Sequence, residues 1–120
     1  MIEYTHELMN SDGEVIDFVR RLVDRVIGGK LIETQVWKKI REKKTKVIYD
    51  LTTDQYTKMY CIQYDHRQID YNLAWKYVFE IIIKELKKIF VDSNVYFKNK
   101  EVYDIHDNVT IHRLIIVDWR

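Results

Sequence analysis

The chain has 120 residues, with 20 basic and 19 acidic side chains, a net charge of +1 and 47% hydrophobic residues. That length suits a single domain with its own core, and charge and hydrophobicity this high together exclude disordered, collagenous and low-complexity classes. The single cysteine excludes an internal disulfide framework and fits a reducing, cytoplasmic setting.

No apolar run is long enough to cross a bilayer, so no membrane role is expected. The polar, acidic first residues do not read as a secretory signal. Ile, Lys and Tyr are heavily used, Ala occurs once (Ala74) and Pro is absent. AT-rich coding produces such a bias, which raises the expectation of a viral or mobile-element protein, host-intracellular if viral.

In chain order, residues 1–11 read as a loose lead-in. Ser11 and Glu14 match a capping box. Val15, Phe18, Val19, Leu22, Val23 and Val26 then repeat at helical spacing, with Arg20, Arg21, Arg25, Asp17 and Asp24 on the polar side. Gly28-Gly29 supplies the stop. A second helix is expected over 30–44, its apolar stripe made by Ile32, Val36, Trp37 and Ile40. Residues 46–51 and 56–64 are rich in β-branched and aromatic side chains around a polar turn at 52–55, which predicts a β-hairpin. On that hairpin Tyr60 and Tyr64 would share a face with Ile62.

Asp70 is placed to cap a helix over 71–90 whose polar stripe is only Lys76, Glu80, Lys84 and Lys88. A helix this apolar must be covered on more than one side. Strands follow at 94–98, 101–105 and 109–119, with turns at 99–100 and 106–108. Both alternating sets of the last strand are apolar, as in a central strand covered on both faces. The expected order is α-α-β-β-α-β-(β)-β, a single α+β domain over 1–120 with an antiparallel sheet packed by helices, arranged like a circularly permuted ferredoxin-like sandwich.

Three functional readings compete. Residues 30–46 carry seven basic side chains against Glu33 and Glu42, a net +5, whereas residues 1–29 sum to −3. A cationic helix face can track a phosphate backbone, because each neutralised phosphate releases counterions. Lys38, Lys39, Arg41, Lys43, Lys44 and Lys46 are the candidate DNA- or RNA-binding residues, with Trp37 and the tyrosines as stacking surfaces. Used as a winged helix, the hairpin would be the wing, but the three-helix core is one helix short. The plainer alternative is a solvated lysine-rich face.

The second reading is a non-enzymatic protein-interaction or inhibitor module with a tyrosine-rich, apolar surface. Surplus apolar surface on 71–90 and 109–119 also points to a homodimer.

The third is a small hydrolase or nuclease using Asp65, His66, Asp104 and His106, since a carboxylate can orient and stabilise a histidine base. His112 follows on the last strand. Ordinary turn chemistry explains the same residues. Their spacing fits no metal template, and Cys61 reads as a small strand hydrophobe rather than a nucleophile. No phosphate-cradling glycine loop or nucleophile elbow is present, so no cofactor is expected, and catalysis belongs to this third reading alone.

Overall fold

The structure, a computed structural model, describes residues 2–64 and 69–120. Helix α1 spans His6–Met9, α2 Gly13–Val23 and α3 Leu31–Arg41, with a π-helical turn at Asp24–Gly28. Strand β1 (Lys46–Asp50) is followed by a 3-10 turn at Leu51–Thr53 and by α4 (Gln55–Tyr64). Helix α5 (Tyr71–Ile89) leads to β2 (Asn94–Tyr103) and β3 (Val109–Asp118). The strands form one antiparallel sheet in the order β1-β3-β2, so the chain has an α+β fold.

The molecule measures 44 × 44 × 19 Å, a thickness that accommodates one helix layer on one sheet. Val47, Val95, Ile115 and Val117 point from the sheet into the continuous core, together with Phe18, Val19 and Leu22 of α2 and Val78, Ile82 and Leu86 of α5. Phe18 is the hub of the helical layer. The rings of Tyr64, Tyr71 and Trp75 meet it edge-on, with centroids at 5.5, 5.7 and 5.6 Å, the geometry that a ring quadrupole favours. Helix α5 thus has α2 on one side and β2 on the other. Its two-sided apolar character is met within the chain, without a second copy.

The expected residues form the expected helix at 71–89, where Asp70 accepts the Leu73 amide at 3.1 Å. For α2 the cap moves one place. Asp12 accepts the Glu14 amide at 2.8 Å, while the Ser11 hydroxyl donates to the Glu7 carbonyl. The segment expected as a loose lead-in contributes Leu8, fully buried, and a Glu3–Lys84 ion pair at 2.9 Å. Neither residue of the Gly28-Gly29 stop has a positive φ; the left-handed residue is Lys30, at 54°. Gly29 is required for space instead, since a Cβ there would sit 2.5 Å from the Arg25 carbonyl oxygen.

The main correction concerns residues 56–64, expected as a strand. They are helix α4, so the sheet has three strands among the described residues and lacks the four-stranded arrangement of a permuted ferredoxin-like sandwich. The reason is tertiary. Tyr56, Tyr60 and Tyr64 lie one helical turn apart and face α2, where Tyr64 packs on Phe18 and donates to Asp17. Met59 and Ile62 point outward, 48% and 67% exposed. Apolar residues on both sides of the helix leave no helical stripe to read in the sequence. Asp54 caps it by accepting the Thr57 amide and hydroxyl, each at 3.1 Å.

Strand β2 runs unbroken through Asn99-Lys100, where a turn was expected. Strand β3 is central as expected, but among the described residues helices cover only one face of it. On the other face Ile116 is buried outside the continuous core. Its cross-strand neighbours Ile48 and Tyr96 are 54% and 39% exposed. No helix among the described residues is long and apolar enough to cross a membrane.

Candidate nucleic-acid interface

The basic segment folds as the end of α3 and the start of β1. Ile32 and Val36 are buried and anchor one side of α3, which turns Lys38 and Arg41 to solvent. The helix then closes in a Schellman motif. The Lys44 amide donates to the Lys39 carbonyl and the Lys43 amide to the Ile40 carbonyl, each at 2.9 Å, with Lys43 left-handed at φ 61°. The reversal brings Lys44 and Lys46 back beside Lys39. With Thr45 and Ile48 they line a cleft of about 340 Å³. The Trp119 amide donates to the Thr45 carbonyl at 3.0 Å and fixes the loop to the end of β3.

Among the described residues, only Lys39 of the six expected cations has a carboxylate partner, Glu42 at 3.6 Å. Lys46 lies across from Asp118, but that carboxylate is held by Arg120 at 2.8 Å. Arg120 lowers the Asp118 pKa, chiefly by side-chain hydrogen bonding. Trp37, expected on the apolar stripe, is instead 63% exposed, and Ile40 is 43% exposed. A ring and a short apolar strip therefore adjoin the cations. Among the described residues no hairpin wing follows the basic helix, because 56–64 is helical.

The tyrosines expected as a sheet platform are engaged elsewhere. Arg21 lies over Tyr60 at 5.7 Å and Arg25 over Tyr56 at 3.8 Å. Arg25 also meets Asp54 at 3.3 Å. Asp54 further accepts from the Tyr49 hydroxyl at 3.2 Å. Burial pushes the Asp54 carboxyl up, yet hydrogen bonds from Thr57 and Arg25 outweigh it and hold the group below its ordinary value. Tyr49 is pushed up to about 12, first by burial and then by the Asp54 charge.

Of the catalytic candidates, Asp65 and His66 lie outside the described residues. Asp104 and His106 come together, but as a turn. The Asp104 carboxylate accepts the His106 amide at 2.8 Å, the Asn108 amide at 2.9 Å and the Asn108 side chain at 3.1 Å. Those donors, the Asn108 amide first, hold its carboxyl below the usual range. His112 pairs with Asp50, Nδ1 to Oδ2 at 2.5 Å, on the open sheet face. Among the described residues no group of three His, Cys, Asp or Glu side chains converges as a metal site would. Cys61 is half-buried on α4 rather than on a strand.

One residue was missed from the sequence. Arg113 interrupts the apolar set Ile111, Ile115, Val117 on the helix-facing side of β3. Its guanidinium lies 4.6 Å from the Trp75 ring centroid. The break in alternation was the available signal. No family model, no curated protein and no solved structure matches the chain.

Proposed function

We propose that this protein binds nucleic acid through the C-terminal end of α3 and the first residue of β1. Lys38, Arg41, Lys43, Lys44 and Lys46 would contact phosphates, and Trp37 would stack on a base, with no bond made or broken. One observation carries the reading: five of the six expected cations are exposed with no carboxylate within ion-pair distance among the described residues. Lysines at a helix C-terminus also favour the helix dipole, which accounts for their place but not for the exposed tryptophan beside them.

Fluorescence anisotropy with labelled single- and double-stranded DNA and RNA tests it. Five phosphate contacts on duplex DNA give a log–log salt slope of about −4.5. Lys38→Ala/Lys39→Ala/Arg41→Ala should flatten that slope and weaken binding on every sequence alike. Flat titrations at low salt with all four probes would reject the proposal.

A second reading, a protein-interaction module in a cytoplasmic, virus-derived or similar setting, is favoured by the apolar residues outside the core. Ile105 at the β2–β3 turn is 93% exposed and Tyr103 is 60% exposed. A homodimer would use this ribbon rather than α5. Sedimentation of the wild type beside Ile105→Asp separates that reading from the first. A partner or second copy held there should survive high salt in the wild type and be lost in the variant.

A further inference from the structure

Away from α3, a cleft of about 280 Å³ opens between α5 and the helix-facing side of the β2–β3 ribbon. Its wall is a run of rings. Trp75 stacks on Phe79 at 5.8 Å and 28°, and Phe79 stacks on Phe97 at 4.7 Å and 10°. Trp75 and Phe79 are buried, but Phe97, at the end of the run, is 46% exposed and lines the opening.

The polar lining is as selective. Among the described residues it holds two cations, Lys76 and Arg113, two carboxamides, Asn72 and Asn99, and no carboxylate. Among the described residues the Arg113 guanidinium has no carboxylate within ion-pair distance; it lies over the Trp75 ring and near the Cys61 side chain. A guanidinium seated over a ring keeps its N–H donors in its own plane, free for an oxygen ligand. A half-buried arginine gives up part of its hydration, and an anion in the cleft would offer it a charged acceptor.

Each component narrows the ligand. Two unpaired cations call for negative charge. The open end of an aromatic stack takes another flat ring. Asn72 and Asn99, each with a donor and an acceptor, match the mixed edge of a nucleobase. The volume sits at the lower limit of ligand pockets, about 300 Å³, which favours one base with its phosphate over anything larger.

The geometry points to a nucleotide-binding site in this cleft, with the phosphate on Arg113 and Lys76, the base on Phe97, and its edge read by Asn72 and Asn99. The nucleotide is either free or one unit of a single strand. The site stands independently of the α3 interface.

The test is a titration of the full chain followed by NMR, reading the Trp75 indole and the Asn72 and Asn99 side-chain amides. The probes are adenosine and uridine monophosphate, inorganic phosphate, and a short single-stranded oligonucleotide. The oligonucleotide is added to the Lys38→Ala/Lys39→Ala/Arg41→Ala variant, so that loss of the α3 interface cannot hide or mimic binding. Saturable shifts at these three residues with a monophosphate support a free nucleotide. The same shifts with the oligonucleotide alone support a strand. Arg113→Gln and Lys76→Gln should each weaken either by about tenfold, the scale of a charge-assisted hydrogen bond. Asn99→Ala, at an exposed position, tests the base edge without disturbing the fold. Shifts with inorganic phosphate equal to those with nucleotide, shifts elsewhere, or none at millimolar ligand would overturn the assignment.

Discussion

Helix α2 with the π-helical turn that continues it, and helix α3, each carry three cations, and the fold treats the two sets differently. The three arginines of α2 and the turn after it each meet a ring or an acid. Arg20 lies over Tyr4 at 5.2 Å. Arg21 pairs with Asp17 at 3.3 Å besides covering Tyr60. Arg25 joins Asp54 and Tyr56. Among the described residues the α3 cations meet one carboxylate, Glu42. Rings and acids that converge on α2 turn its charge into tertiary structure; α3, anchored by two buried residues, leaves its charge for solvent or a partner. An equal number of cations therefore says little about availability, which depends on what the neighbouring elements present.

The comparison breaks most visibly at Asp54. This nearly buried carboxylate receives Arg25, Thr57 and Tyr49. Asp54→Ala should lower unfolding free energy in urea by about 2–4 kcal/mol, because it orphans a half-buried guanidinium and removes a cap. The triple replacement of Lys38, Lys39 and Arg41 should cost about 0.5 kcal/mol or less per site. Equal losses in the two variants would mean that the α3 cations are structural as well.

Gly29→Ala comes next. A Cβ against the Arg25 carbonyl must displace the π-helical turn that aims Arg25, at a cost of about 1–3 kcal/mol by the same denaturation. Titration sharpens the contrast further. Asp54 is held below its ordinary 3.8, so its stabilisation is full above that value and lost as pH falls through the lower folded value. Tyr49 is raised from 10.0 to about 12, so its contribution is full below 10.0 and lost as pH climbs toward 12. Asp54→Asn should flatten the acid limb of a stability–pH curve, and Tyr49→Phe the alkaline limb.

The smallest expected effect is a gain. Lys43 holds a left-handed conformation at φ 61°, and Lys43→Gly should add up to about 1 kcal/mol by removing the Cβ clash. With one cation fewer, its salt slope on DNA should become shallower by about one.

Much of the fold was legible because some segments bury one face and say so. Val15, Phe18, Val19 and Leu22 recur at helical spacing on α2, and Asp70 caps α5. The strand at 46–50 and the last strand carry the β-branched residues that a pleated surface takes. The sequence by itself determined these elements, the antiparallel α+β class and the position of the basic segment. It determined nothing of the kind for 56–64, where aromatic and β-branched residues lie on both sides of a helix and local preference favours a strand. Only packing on Phe18 and capping by Asp54 decided that segment, and with it the strand count. Tertiary structure alone also decided which cations stay free and placed Arg113 over Trp75 in an aromatic cleft. The physical reason is common to all three: pairing, stacking and desolvation depend on groups far apart in the chain, to which periodicity and net charge are blind.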